Sequence, residues 1–256
     1  MKHKSFTAAQ AKYWDELADE YCSTTVISTD DFHYGPLLPG DAELKLLPNQ
    51  LHNLNCLEIG CGAAQNSIFL ASQGANCTAI DISAELLKAA QLLTTETRIN
   101  IELHQMPMSE ISALSPRKFD LIHSSYALPF STDPGMVIAS AAKLLNPGGQ
   151  LIFSTVHPLF TGEWLELEGT DGLFLENYFT PSPDCRFDDA DNEIARSNSY
   201  PISKMCDWVM NAGLTIERIL EPQPSTNPPY YSDAWHELKP QMEKFPASII
   251  FSARKN

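Results

Sequence analysis

The chain has 256 residues, 43% of them hydrophobic, enough to bury a core in one large α/β domain or two small ones. Its formal net charge of −15, from 32 acidic against 17 basic residues, speaks against a broad nucleic-acid or anionic-membrane footprint, since both rest on clustered Lys and Arg. No 18 apolar residues run together, the start MKHKSFTAAQAKYW lacks an apolar signal segment, and the six cysteines form no C-x-x-C pair or zinc-like spacing; a reduced, cytoplasmic protein without a metal site is expected.

Residues 1–54 read as an N-terminal helix and a flap. Trp14, Leu17, Ala18 and Tyr21 fall at i, i+3, i+4 and i+7, one apolar helix side. Asp30, Asp31, Gly35, Pro36, Pro39 and Gly40 break any regular pattern around Phe32-His33-Tyr34, which predicts a loop over residues 23–40. From residue 55 short apolar runs alternate with helical patterns. Strands are predicted at 55–60, 77–82, 101–105, 119–124, 150–156, 214–220 and 248–253. Helices are predicted at 64–73, around Leu86, Ala89, Ala90 and Leu93, after the Asp133-Pro134 cap, and at 203–212 with Cys206, Val209 and Met210 inward. The tetrapeptide Asn146-Pro147-Gly148-Gly149 predicts a turn. Residues 158–200 show little periodicity and read as an insertion, and 221–235 as a Pro-rich loop. Continuous apolar strands separated by helices imply one doubly wound α/β domain spanning 1–256, with helices on both faces of a mostly parallel sheet.

In such sheets ligands sit beyond the carboxyl ends of the strands, and the first strand–helix turn faces that crevice. Here the turn is CLEIGCGAAQN, in which Gly60 and Gly62 let bare backbone approach a ligand. Asp81 closes the second strand about twenty residues on, the spacing of a carboxylate that accepts both ribose hydroxyls. Both NAD and S-adenosylmethionine carry a ribose. A dinucleotide fingerprint, however, wants a third glycine where Gln65 stands, and Glu58, just before the glycines, would repel a pyrophosphate while suiting a cationic amino group.

The combination of CLEIGCGAAQN, TAIDIS, KFDLIHSSYAL, LLNPGGQLIFS and SIIFSARK resembles the class I S-adenosylmethionine-dependent methyltransferases, of the small-molecule type related to quinone-biosynthesis enzymes. The resemblance implies a seven-stranded sheet of order 3-2-1-4-5-7-6 with the last strand antiparallel. It implies that Glu58, Gly60 and Gly62 hold the methionine end of the cofactor, Asp81 and Ile82 the ribose and adenine, with Cys61 and Asn66 of the same turn also among the cofactor-binding residues. Ser124 and Ser125 would line the transferable methyl. Where the family usually has an acidic residue this chain has Pro107, so adenine would rest on Met106, Met108 or Ser109.

For the acceptor side, His157 follows the fifth strand in Val156-His157-Pro158 and is the first candidate for a base or substrate contact, with Tyr21 and His33 behind it. His123, inside a strand, reads as a core histidine. Trp164, Phe174, Tyr178, Phe179, Tyr230, Tyr231 and Trp235 supply aromatics from the two long irregular segments, consistent with a ring-bearing small-molecule acceptor. A nicotinamide oxidoreductase, a non-catalytic methyltransferase-like subunit and a protein methyltransferase are the rival readings. The sequence leaves the oligomeric state open.

Overall fold

The computed structural model describes residues 2–256, with side chains from Phe6 onward. Helix α1 (Lys2–Thr24) runs directly into a short strand, β1 (Thr25–Ile27). Residues 32–40, expected as a loop or flap, are all buried, with Phe32 and Leu38 at 0% exposure. This segment is a plug, held by two aspartates that bracket it. Asp31 accepts from the amides of Phe32 and Ala42, and Asp41 from Tyr34 Oη at 2.6 Å and the amides of Leu46 and Leu47. Helix α2 (Asp41–Leu44) closes it.

The strand–helix alternation follows. It comprises β2 (Asn55–Ile59), α3 (Gln65–Ser72), β3 (Asn76–Asp81), α4 (Ala84–Thr97), β4 (Glu102–Gln105), β5 (Phe119–Ser125), α5 (Pro134–Leu144) and β6 (Leu145–Val156). Two helix starts are capped as the residue types require. Ser83 Oγ accepts from the Leu86 amide at 3.1 Å, and Asp133 Oδ1 from the Met136 amide at 2.9 Å with Pro134 in the first helical position. The turn expected at residues 146–149 lies inside β6. Leu145 pairs with Phe119, the register then jumps so that Gln150 meets Leu121, and the residues between bulge out through Gly148 at φ +76°.

Residues 158–200 are more ordered than their sequence suggests. They form two hairpins, β7 (Glu163–Leu167) with β8 (Thr170–Phe174), and β9 (Asp184–Phe187) with β10 (Glu193–Ser197). Helix α6 (Ile202–Asn211) buries Met205 and Val209, while Met210, expected inward, is 54% exposed and Cys206 half-buried. The chain ends with β11 (Leu214–Leu220), β12 (Tyr230–Ser232), α7 (Asp233–Glu237), α8 (Lys239–Met242) and β13 (Ser248–Lys255). Part of the Pro-rich segment is therefore a strand: β12 pairs antiparallel with β1 as a two-stranded ribbon.

The main sheet has seven strands in the order β4-β3-β2-β5-β6-β13-β11, with β13 antiparallel to both neighbours. Counted along the sheet's own strands this is the expected order 3-2-1-4-5-7-6. The pleat splits the core into two layers, since alternate strand residues face opposite sides. Leu57, Ile59, Ile122, Phe153 and Phe251 pack on one face; Cys56, Leu121, Ile152 and Ile250 pack on the other. Phe153 and Phe251 are register partners whose rings stack at 4.8 Å. Each such side chain, fully buried, contributes about 1.5–3 kcal/mol. No helix of the described residues is long and apolar enough to cross a membrane.

Candidate active site and cofactor cleft

After β2 the chain turns through three left-handed residues, Gly60 (φ +71°), Gly62 (φ +53°) and Ala64 (φ +61°). The two glycines are there for different reasons. A Cβ on Gly60 would lie 2.2 Å from Ala127 Cβ in the loop after β5, whereas a Cβ on Gly62 would meet nothing within 4 Å. Gly60 thus permits close packing, and Gly62 keeps backbone bare where it borders open space. The Gly62 amide donates to Asp81 Oδ2 at 2.8 Å and the Ser83 amide to Oδ1 at 2.9 Å. Asp81, at the end of β3, so fastens the turn, and of the roughly four acceptor sites of its carboxylate the amides of Gly62, Ser83 and Ile82 do not take all. Burial raises its pKa from the ordinary aspartate value, against the pull of the backbone amides around it.

Glu58 sits two residues before the turn and is 3% exposed. Its Oε2 accepts from the Ser67 amide at 3.0 Å and from Ser67 Oγ at 2.5 Å. Oε1 has no hydrogen bond among the described residues; the nearest imidazole nitrogen, His123 Nδ1, is 3.9 Å away. Burial pushes the Glu58 pKa up to about 8, with the charge of Asp81 adding and the Ser67 bonds opposing. Burial likewise lowers His123 to about 3, so the two are not an ion pair. Glu58 therefore holds a proton at neutral pH until a cation comes close.

These groups line one cavity of about 590 Å³, a size that takes a nucleoside-sized ligand and a small second molecule. The structure brings together on its wall Glu58, Gly60, Cys61, Gly62, Asp81, Ile82, Met106, Met108 and Ser125 with Tyr21 and His33. Pro107 and Ser109 join them. Three expected site residues do not reach it. Asn66 is 0% exposed; its Oδ1 accepts from the His33 amide at 2.9 Å and its Nδ2 donates to His33 O and Ser125 Oγ, so it braces the wall from behind. Ser124 is 2% exposed and donates to Ile59 O at 2.8 Å, because it points to the opposite side of β5 from Ser125.

His157 is the third. It is 1% exposed, Nε2 bonds Glu221 Oε1 at 2.7 Å, and Nδ1 accepts from the Leu159 amide at 3.1 Å. That assignment puts the ring proton on Nε2 and leaves neither nitrogen for a substrate. Val156 lines the cavity and its neighbour His157 turns away from it, as strand alternation requires. Burial lowers the His157 pKa, opposed by the Glu221 carboxylate. His157 is a strap between the end of β6 and the segment after β11, not a base.

Other cavity residues carried no clear sequence signal. Tyr126 follows Ser125 in the left-handed region (φ +63°), its hydroxyl bonded to Ser248 Oγ and its ring lodged where a Cβ on Gly35 would fall, 2.2 Å from Cε2. Arg186 and Arg196 reach the wall from β9 and β10. Of the expected aromatics, Tyr230 and Trp235 line the cavity, but Trp164 packs on Phe245 and Phe174 and Phe179 are exposed. Helix α1 lies across the opening through Trp14, Leu17 and Tyr21. It is pinned there: Asp15 Oδ1 accepts from Ser83 Oγ at 2.7 Å and the Glu85 amide at 3.1 Å, Gln10 Nε2 donates to Phe130 O at 2.9 Å, and Tyr21 Oη bonds Tyr230 Oη at 3.0 Å.

Residues 57–153 match the family model described as "Methyltransferase domain". Over 121 residues the chain is 34% identical to a ubiquinone biosynthesis O-methyltransferase of Xylella fastidiosa (strain 9a5c), covering 47% of this chain and 49% of that one. The chain thus spans about half the length of the curated relatives it matches. An S-adenosylmethionine dependent methyltransferase from Mesorhizobium loti has the same fold, with a TM-score of 0.67 at 22% identity over 84% of this chain and 96% of that one. The [4+2]-cyclase SpnF shares it as well, at a TM-score of 0.62 and 15% identity over 96% and 94% of the two chains. At these identities the solved structures show a shared fold, which an enzyme of another reaction has too, so the reaction has to be argued from the site.

Proposed function

We propose that this chain, which carries a methyltransferase domain over residues 57–153, is an S-adenosylmethionine-dependent enzyme that moves a methyl group to a small-molecule acceptor. One observation carries the reading: a buried Glu58 with Oε1 unbonded and an Asp81 with acceptor capacity to spare flank a Gly62 backbone that is open to the cavity. A pyrophosphate would face the Asp81 carboxylate and find no cation there among the described residues, whereas a ligand with an ammonium group at one end and a sugar diol in the middle meets Glu58 with the first and Asp81 with the second.

The residues fit S-adenosylmethionine. Glu58 would receive the amino group, Asp81 the ribose hydroxyls, and Ile82, Met106 and Met108 the adenine, by apolar contact where Pro107 offers no side-chain acceptor. When bound, the cofactor supplies an electrophilic methyl on a sulfonium, and displacement is in line. The chain's own contribution is alignment, which can supply on the order of 7–11 kcal/mol of barrier reduction, together with exclusion of water by the pinned α1 and the β1–β12 ribbon. The cover of α1 and the β9–β10 hairpin favours a small acceptor over a protein chain. All six cysteines are free, in keeping with a reduced cytoplasmic setting.

Calorimetric titration with S-adenosylhomocysteine and with NADH tests the reading. The wild type should bind the first and not the second. Asp81→Ala should lose charge-assisted hydrogen bonds worth about 1.5–3 kcal/mol each; unchanged affinity in that variant would remove Asp81 from the site. A metabolite screen with a tritiated methyl donor would then identify the acceptor.

A further inference from the structure

We propose that His33 takes the proton from an aromatic hydroxyl acceptor, which stands against it in the part of the cavity walled by Tyr126, Tyr230 and Trp235. The inference rests on the methyltransferase reading and adds an acceptor class and a catalytic residue to it.

Among the described residues three histidines are deeply buried, with contrasting partners. His157 has both ring nitrogens bonded and stands off the cavity. His123 is bonded at neither nitrogen and also lies off the cavity, enclosed in the sheet against Phe32. His33 alone of the three combines an unpartnered ring with a place on the cavity wall, at 8% exposure. Its Nδ1 is enclosed without a partner, and no described residue bonds Nε2, the nitrogen left on the cavity side. Nε2, neither bonded nor enclosed, is the ring nitrogen that a ligand entering the cavity can reach.

The ring is nevertheless fixed, through its backbone and its face. The His33 amide and carbonyl are both bonded by Asn66, and the carbonyl also accepts from Ser125 Oγ at 3.2 Å. The imidazole meets Tyr230 edge to face at 5.2 Å, and Tyr230 is held by Tyr21. A substitution of the side chain leaves the backbone bonds standing.

The sheet order separates the cavity's two ends. Asp81, Ile82 and Met106 belong to β3, β4 and the turns after them on one side of β2, while Tyr126 and Val156 follow or end β5 and β6 on the other. The second end receives Tyr230 from β12 and Trp235 from α7, and Tyr126 and Trp235 pack edge to face at 5.7 Å. These four side chains include no carboxylate, so a protonated amine would find no counter-charge among them; a flat ring bearing a neutral hydroxyl fits aromatic walls and an unbonded imidazole. Where acidic side chains do approach, on the β9–β10 hairpin, Asp184 and Glu193 are bonded by Arg186 and Arg196.

In the step the acceptor O–H bond breaks and its proton passes to His33 Nε2. The oxygen's electron pair forms the bond to the methyl carbon, and the carbon–sulfur bond of the sulfonium breaks with its pair kept on sulfur. The imidazolium later releases the proton to solvent. Burial holds the His33 pKa down to about 3 in the free protein, so the ring is a neutral acceptor at working pH. The low value does not bar the step, because one positive charge occupies the cavity before it, on sulfur, and one after it, on imidazole.

The test uses wild type, His33→Ala and His33→Gln, with S-adenosylhomocysteine and 4-nitrophenol as binding probes and tritiated methyl transfer to phenol as the activity. All three proteins should bind S-adenosylhomocysteine within twofold of one another. His33→Ala should bind 4-nitrophenol at least tenfold more weakly and lose roughly 10²–10⁴-fold in transfer. Added imidazole should restore part of the His33→Ala activity and none of that of His33→Gln, whose side chain fills the space. Wild type that binds S-adenosylhomocysteine but not 4-nitrophenol, or a variant that transfers methyl at the wild-type rate, overturns the proposal. Wild type that fails to bind S-adenosylhomocysteine overturns the methyltransferase reading instead.

Discussion

Replacing each glycine of the turn by alanine separates folding from ligand binding. In Gly60→Ala the new methyl sits 2.2 Å from Ala127 Cβ at φ +71°. A left-handed L-residue costs about 1–2 kcal/mol and overpacking about 1–3 more, so the loss is about 2–5 kcal/mol, or roughly 4–20 °C in melting temperature for a chain of this size. In Gly62→Ala only the conformational part applies to folding, since nothing lies within 4 Å of the added carbon. Ala64 adopts the same left-handed backbone in the same turn at φ +61°. The methyl borders the cavity instead, where overpacking against a bound ligand of about 1–3 kcal/mol lowers affinity roughly 5- to 160-fold. Thermal unfolding and calorimetric titration with S-adenosylhomocysteine read the two effects separately. Gly60→Ala as stable as wild type would show that the β2 turn does not pack on the loop after β5. Gly62→Ala with undiminished affinity would show that the turn does not cradle the ligand.

Three further outcomes are expected. Glu58, raised to about 8 in the free protein, should ionise when an ammonium group binds. At pH 7 the complex then releases roughly 0.9 proton, read from calorimetry in buffers of different ionisation enthalpy, and Glu58→Gln should abolish that release. The same shift acts on folding with a definite sign: the unfolded carboxyl ionises near 4.3 and the folded one near 8, so Glu58's contribution is fully present below about pH 4 and is lost as pH rises towards 8. Glu58→Gln should flatten the fall in denaturant midpoint across that window; an unaltered slope counts against a buried, protonated Glu58. His157→Ala should lower stability by about 1–3 kcal/mol, because the Leu159 amide and Glu221 lose a partner, while leaving S-adenosylhomocysteine affinity intact; a cofactor or turnover defect without destabilisation would restore it to the site.

The sheet and the wall of the cavity around the glycine turn were legible because both follow from local rules. A parallel strand buried on two faces is a continuous apolar run, as in β2, β3 and β5, and the residue that ends such a strand, like Asp81, faces the crevice. The rest of the cavity depends on chain far apart in sequence. His157 directly follows β6 much as Asp81 ends β3, yet its ring is bonded to Glu221, 64 residues on, and stands off the cavity. Asn66 and Ser124 are polar and adjacent to ligand-facing residues, but their partners, His33 and Ile59, come from other elements. Residues 32–40 read as a loop because Gly and Pro punctuate them, and only the tertiary fold shows Phe32 and Leu38 in the core. In β7, β8 and β9 few positions are buried on either face, so the hairpins leave no apolar alternation to detect.

The most direct test of the electrostatic design is a crystal structure with S-adenosylhomocysteine, refined without a prior ligand position. The amino group should lie against Glu58 Oε1, the ribose hydroxyls against Asp81, and the chain between them over Gly62. A ligand seated elsewhere, or density at the turn from a bound nicotinamide dinucleotide alone, would contradict it.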